Sequence, residues 1–467
     1  MRVFRSAGSK SSLNVDLTFL LHAYCHYIVQ SAPITAPLIW EQDLTWEQQG
    51  GKITGISAGD ELGNSVALSA DAKILVVGAP GYESNDDRTG YAAIFQWHDI
   101  LYWVQIGQTI YGSDNGDQLG FSVDVSADGF TLAVGAPGWW EKNDRAGYVR
   151  VYSLYVDEDS GLIWKQVGQD INGEDLGDQF GESVSLSEDG NILAVGGAYS
   201  NNQNGKSGRA SIYILGQNGS WLQIGQGVSG EHDGDESGES LSLSSDGTIV
   251  AVGALYNNGS NKEGCRGGAC GDRGHVRVYQ LYAGNQEGTS LSWIQLGQDV
   301  DGDNPDDLFG SSVALSADGK ILAVGAPDEM GKSSGYVRVY YLEGDGFSSS
   351  WKQLGQDING EALGDRFGMA VSLSGDGVIL AVGASTANGD SSGRVTIYQR
   401  GDYDSTWTQL GDAIYGESPH DNSGWSVSLS ADGNTVLIGS VWNDDNGENS
   451  GHVKVFSIKQ LTTATSD

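Results

Sequence analysis

Short apolar runs with strand periodicity, each followed by a tight-turn signal, recur along most of the chain. In Ser183-Val-Ser-Leu-Ser187, Val184 and Leu186 alternate with three serines, the period of a β-strand. Glu188-Asp189-Gly190 follows and then a second apolar run, Ile192-Leu-Ala-Val-Gly-Gly197. Asp-Gly between two such runs predicts a hairpin, because glycine tolerates positive φ. A variable loop leads to a third run, as in Tyr336-Val-Arg-Val-Tyr340. A fourth carries Trp-x-Gln-x-x-Gly or a close variant.

This four-strand pattern occurs seven times. Gly63, Gly120, Gly181, Gly238, Gly310, Gly368 and Gly424 mark the same point in each copy, at spacings of 57, 61, 57, 72, 58 and 56 residues. A repeat of this regularity sets the architecture. No helical periodicity competes with it. The expected fold is all-β, a seven-bladed β-propeller of four-stranded antiparallel blades with some 28 strands. Seventy glycines fit that many tight turns.

The fourth-strand tryptophans are Trp46, Trp103, Trp164, Trp221, Trp293, Trp351 and Trp407. Trp46 precedes the first copy, and the seventh copy stops at its third strand, His452–Ile458. The N-terminal strand is therefore expected to complete the last blade, which closes the ring and leaves no sheet edge exposed. The expected organisation is a leader and linker over 1–37, the propeller over 38–458 and a disordered tail over 459–467.

The D-x-[FL]-G-x-S-V and V-G-A-P motifs stand clearest at Asp178–Gly181, Val134–Pro137, Asp307–Gly310 and Val324–Pro327. They resemble the FG-GAP repeats of integrin α-type propellers over about 38–458. The resemblance implies a seven-bladed, usually extracellular propeller used for adhesion or ligand binding. One departure is plain. The first-to-second strand loop, where integrin-type repeats often hold calcium on Asp-x-Asp/Asn-x-Asp-Gly, is here cut to Ser-Ala-Asp-Gly or similar. One carboxylate at a tight hairpin cannot supply six to eight oxygens, so the family's calcium residues do not carry over.

The N-terminus adds Arg2, Arg5 and Lys10 before a moderately apolar Leu17–Val29 and Gln30-Ser-Ala-Pro33. This resembles a secretory signal or signal anchor, although His22, His26 and Tyr27 interrupt the apolar stretch. Cys265 and Cys270, in the insertion that lengthens the fourth copy, are the expected disulfide in an oxidising compartment. Asn218 and Asn258 open glycosylation sequons. The expected location is extracellular or cell-surface, or intracellular if the leader is not a signal. Sixty-one acidic residues against 25 basic ones give a net charge of −36. That argues against nucleic acid and against anionic membrane surfaces. A monomeric propeller is expected.

Propeller geometry places the second-to-third strand loops and the connections between blades on one face. Tyr82, Trp139, Trp140, Tyr199, Tyr256 and Trp442 follow shortly after second strands. They are the candidate ligand-binding residues, since flat rings beside polar groups suit sugars or protein hot spots. These loops vary between copies while the strands do not, which is how repeat scaffolds acquire specificity. An aspartate stands three residues before each marker glycine: Asp60, Asp117, Asp178, Asp235, Asp307, Asp365 and Asp421. Sevenfold repetition predicts a structural role, accepting backbone N–H groups at the strand entry. Calcium is the expected cofactor, if any, at Asp299, Asp301 and Asp303 or at Asp444 and Asn446, where oxygens cluster in short loops.

No catalytic residue is assigned. Gly-x-Ser-x-Gly at 331–335 and 389–393 leads into a third strand, not the strand-to-helix elbow that activates a serine. The reading is a binding or adhesion propeller for a protein or glycan ligand, not an enzyme. The alternatives left open are a polysaccharide-cleaving propeller and a structural matrix repeat without a discrete ligand.

Overall fold

The computed structural model describes residues 44–460 apart from 83–87, 139–144, 202–204, 259–271, 285–290, 329–330, 345 and 402–404. Among the described residues the chain forms seven antiparallel sheets, numbered here as blades in chain order, six of them built from consecutive strands and the seventh joining strands from the two ends of the chain. The inner strands are Ser65–Leu68, Ser122–Val125, Ser183–Leu186, Leu241–Leu243, Ser312–Leu315, Phe367–Leu373 and Ser423–Leu429. Two short helical segments, Gly346–Ser348 and Ala387–Ser391, lie in loops.

Blade 3 shows the plan. Ser183–Leu186 pairs with Ile192–Gly197, which pairs with Arg209–Leu215. The outer strand is in two pieces. Trp221–Gln223 pairs with the far part of the third strand and Val228–Ser229 with its beginning. Every blade has this break, so 35 strand segments stand where about 28 strands are expected. The tryptophan signature, which reads Trp-x-Gln-x-Gly in every copy, crosses it, and its glycine takes a positive φ of 69° at Gly225, which an L side chain resists.

Leu44–Gln48 pairs with His452–Gln460, with Trp46 opposite Ile458, and Ile53–Thr54 pairs with His452 and Val453. The N-terminal strand thus completes blade 7. The tryptophans then tie neighbours together. Trp221 Nε1 donates to the Val167 carbonyl at 3.0 Å and Trp293 Nε1 to Ile224 at 2.9 Å. Across the closing blade, Trp46 Nε1 reaches Leu410 at 2.9 Å and Trp103 Nε1 reaches Gln49 at 3.2 Å. At five seams a glutamine also clamps both backbone groups of the next tryptophan. Gln169 does this to Trp221 at 2.8 and 3.1 Å. Asp412 and Gly51 occupy that position on either side of blade 7.

A second ring runs around the inner hairpins. Ala70 N–H donates to Ala127, Ala127 to Glu188, Glu188 to Ser245, Ser245 to Ala317, Ala317 to Gly375, Gly375 to Ala431, and Ala431 back to Ala70, all between 2.8 and 3.1 Å. The hairpins that make it share a local lock. Ser187 Oγ donates to Asp189 and accepts the Ile192 N–H, and the other six hairpins repeat this.

The constant motif residues face the neighbouring blade. A Cβ on Gly196 would lie 1.9 Å from the Gly238 carbonyl oxygen, and one on Gly439 would lie 2.2 Å from that of Gly63. Ser183 Oγ donates to the Gly238 carbonyl at 2.6 Å. So the second-strand glycine and the motif serine of one repeat together meet the marker glycine of the next in one inter-blade contact. The apolar cores likewise lie between blades: Ile249, Val276 and Val278 of blade 4 pack with Val313, Leu322, Val324 and Trp351 of blade 5.

Candidate functional site

The loop face begins at the seven aspartates. Asp235 Oδ2 accepts the N–H groups of Glu231 and His232 at 2.9 and 2.8 Å, and Asp421 Oδ2 those of Glu417 and Ser418 at 3.1 and 2.9 Å. Asp60, Asp117, Asp178, Asp307 and Asp365 take the corresponding positions. Each carboxylate holds the connection between blades in a turn, which satisfies amides that would otherwise be buried without partners. A further donor differs from blade to blade: Tyr91 on Asp60, Tyr148 on Asp117, Asn257 on Asp235, Tyr336 on Asp307 and Asn443 on Asp421.

On this scaffold a cavity of about 430 Å³ opens between blades 3 and 4. It is lined by Gln179, Glu182, Tyr199, Lys206, Glu236, Glu239 and Tyr256. Gln179 and Glu182 flank the marker glycine of blade 3, and Glu236 and Glu239 flank that of blade 4. Tyr199 and Tyr256 come from the second-to-third strand loops of the same two blades. Three carboxylates thus meet beside two phenol rings.

Their environments differ. Burial, reinforced by the charge on Glu236, pushes the Glu182 carboxyl up to about 8, so it holds its proton at neutral pH. Burial also raises Glu236, but hydrogen bonds from Tyr199 and Glu239 oppose that shift. Burial and the nearby Glu236 raise the Tyr199 phenol, which stays protonated as a donor. Glu182 Oε2 and Gln179 Oε1 are cut off from solvent and accept no hydrogen bond among the described residues. The Gln179 carbonyl oxygen accepts and the protonated Glu182 carboxyl donates, so a ligand that completes this cavity must bring both a donor and an acceptor.

The other sequence-predicted residues fall in different places. Tyr82 packs against Tyr91 and Tyr111, with ring centroids 5.2 and 5.5 Å apart, as part of blade 1. Trp442 is 43% exposed and lies 6.1 Å from Trp425 at a 32° tilt. Trp425 holds in blade 7 the position of Glu182 in blade 3. Trp139, Trp140, Cys265 and Cys270 lie outside the described residues. Asn218 is exposed on the third-to-fourth strand hairpin of blade 3, and Asn258 is half-buried.

The predicted calcium ligands do not converge as written. Asp303 is paired with Arg338 at 2.5 Å, and Asp301 lies 3.9 Å from His275 Nδ1. Asp299 converges instead with Glu231 and His275. Asp444 accepts the Asn449 N–H at 2.8 Å, and Asn446 donates its amide to the Gly55 and Ile56 carbonyls at 2.8 and 2.9 Å. Asn446 thereby stitches blade 7 to blade 1. A second group, Glu417, Asp445 and His452, is occupied by Lys52 and Lys454.

Sequence reasoning missed Gln179, Glu182, Glu236 and Glu239, although their signal was present. The position after the marker glycine reads Asn64, Phe121, Glu182, Glu239, Ser311, Met369 and Trp425. Only the adjacent third and fourth copies carry an acid there.

Residues 416–456, spanning most of blade 7, match the FG-GAP repeat family model. No curated protein matches the sequence. The fold is similar to two solved structures provisionally designated 6-phosphogluconolactonases, from Bacteroides fragilis and Bacteroides uniformis. Each is 13% identical, covers 76% of this chain and 85% or 86% of its own, and superposes with a TM-score of 0.47. A likeness this loose carries no argument about activity.

Proposed function

The chain is an FG-GAP repeat β-propeller, and from that premise we propose that it is an extracellular or surface-displayed binding protein. Its ligand, a glycan or the surface of another protein, docks on the loop face with its anchor in the cavity between blades 3 and 4. One observation carries this reading: Tyr199 and Tyr256, from neighbouring blades, line a single cavity that also holds two orphaned polar atoms, Gln179 Oε1 and Glu182 Oε2. Hydroxyl groups, which both donate and accept, satisfy them, and the phenol rings supply flat apolar contact. The Trp425–Trp442 pair on blade 7 offers a second contact on the same face.

The test is a Tyr199→Ala, Tyr256→Ala double variant in a glycan and protein binding screen. Binding should fall at least about tenfold, the weight of two lost aromatic contacts, with the melting temperature nearly unchanged. Full retention of binding would move the site away from this cavity.

A second reading has one observation in its favour. Burial beside the Glu236 charge pushes the Glu182 carboxyl up, while hydrogen bonds from Tyr199 and Glu239 oppose the rise at Glu236. Split carboxyls of this kind serve as acid and base in glycoside hydrolysis. Release of reducing ends from a bound polysaccharide, abolished in Glu182→Gln, would establish the enzyme. Binding without release would establish the binder.

A further inference from the structure

We propose that blade 4 carries a divalent transition-metal site formed by Glu231, His275 and Asp299, at the place where blade 7 supplies its own lysine. One ligand atom from each of the three residues lies within 4.8 Å of the other two. Glu231 comes from the connection entering the blade, His275 opens the third strand, and Asp299 immediately precedes the second piece of the outer strand, Val300–Asp301.

The other blades show what this position requires. In blade 5 the guanidinium of Arg338 bridges the equivalent carboxylates, Asp303 at 2.5 Å and Asp357 at 2.8 and 2.9 Å. In blade 7 the equivalent of Glu231 is Glu417, which meets Lys52 at 3.1 Å and Lys454 at 2.6 Å. The strand registers make Lys52 and Asp299 counterparts. Thr54 pairs with His452 as Asp301 pairs with His275, and each counterpart lies two residues earlier. Blade 4 therefore puts a carboxylate where blade 7 puts an ammonium, directly beside another carboxylate.

Arg277 does not resolve this as Arg338 does. It stands 3.5 Å from Glu231 and gives Nη2 to the Ser229 carbonyl at 3.2 Å. Among the described residues Asp299 has no ion pair; its Oδ1 accepts only the Gln295 amide, at 2.6 Å. Among the described residues no ammonium or bridging guanidinium stands between the two carboxylates.

His275 supplies the independent observation. It is 1% exposed, and among the described residues its Nε2 has no hydrogen-bond partner, as is also true of His452 Nε2 in blade 7. A buried imidazole normally satisfies both nitrogens. One imidazole nitrogen with two carboxylates suits zinc or manganese rather than calcium, which prefers an all-oxygen shell. This is a different site from the Asp299, Asp301, Asp303 set, because Asp303 is committed to Arg338.

The experiment is calorimetric titration of Zn²⁺ into EDTA-treated full-length protein, with thermal melts at each point. The background is Cys25→Ser, Cys265→Ser, Cys270→Ser, so that no thiolate contributes. One equivalent should bind and raise the melting temperature. Asp299→Lys rebuilds the blade 7 arrangement. It should lower Zn²⁺ affinity by more than about a hundredfold, beyond what loss of an outer-shell partner costs, and melt in EDTA at or above the parent. Asp299→Asn, which keeps the shape, should lower affinity more than about tenfold. The proposal is overturned if the parent shows no Zn²⁺-dependent shift, if either variant keeps parental affinity, or if Ca²⁺ produces the same shift as Zn²⁺.

Discussion

Gly196→Ala tests the claim that the repeat motifs are inter-blade contacts. Gly196 lies on the second strand of blade 3, where the inner end of blade 4 passes over it. The added methyl would sit 1.9 Å from the Gly238 carbonyl oxygen and 2.3 Å from Ser183 Oγ. Ordinary contact needs about 3.5 Å, so the carbonyl must retreat by roughly 1.5 Å. Backbone cannot rotate away as a side chain can. The retreat would break the Ser183 Oγ–Gly238 bond of 2.6 Å and strain the Gly238 N–H to Gly253 carbonyl bond of 2.9 Å. Two hydrogen bonds at about 1 kcal/mol each and overpacking of about 1–3 kcal/mol sum to about 3–5 kcal/mol. Gly234→Ala is the control. Its φ is +85° with nothing within 4 Å, so it costs only the left-handed strain of about 1–2 kcal/mol. Urea unfolding followed by tryptophan fluorescence should give a much lower midpoint for Gly196→Ala than for Gly234→Ala. Equal midpoints would refute the contact as the reason for the glycine.

Three further outcomes follow from the same geometry. Deleting residues 44–54 removes the outer strand of blade 7 and both seam-crossing indole bonds, so the truncated chain should lose its cooperative melt and aggregate; a parental melt would show that the inner hairpin ring suffices. Asp235→Ala strands the N–H groups of Glu231 and His232 and the Asn257 amide, and urea titration should show a loss of about 3 kcal/mol or more. Glu182 binds its proton more tightly folded than unfolded, so its contribution to stability is complete below about pH 4 and is lost as pH rises towards 8. The parent should therefore weaken between pH 5 and 8 relative to Glu182→Gln, whose amide cannot ionise; parallel pH profiles would place the Glu182 pKa near its ordinary value.

The candidate site was partly legible. Tyr199 and Tyr256 were visible as aromatic residues following second strands, and they share a cavity because blades 3 and 4 are neighbours. Tyr82 met the same sequence criterion but found Tyr91 and Tyr111 within its own blade. A local rule about loop position cannot separate these cases, since the difference lies in what the adjacent strand presents. The acidic clusters misled for a related reason. Asp299, Asp301 and Asp303 are close in sequence, yet alternation along the strand and the turn after it sends Asp299 to Glu231 and His275 and Asp303 to Arg338. Glu231 and His275 are 44 residues apart in the chain and meet only through sheet pairing.

What the sequence determined by itself was everything that repeats. Strand periodicity, the Ser-x-Asp-Gly hairpins and the spacing of the glycines specify one blade seven times. The unpaired Trp46 strand specifies how the ring closes, because a strand without a neighbour must find the one sheet that lacks an edge. What only the tertiary structure decided was everything that does not repeat. Which aromatic ring faces a cavity and which carboxylates converge depend on what tertiary packing brings together. Local physics acts between neighbours in the chain and writes the blade into each repeat. Contacts between blades join positions some sixty residues apart, and their outcome appears only once the ring is closed.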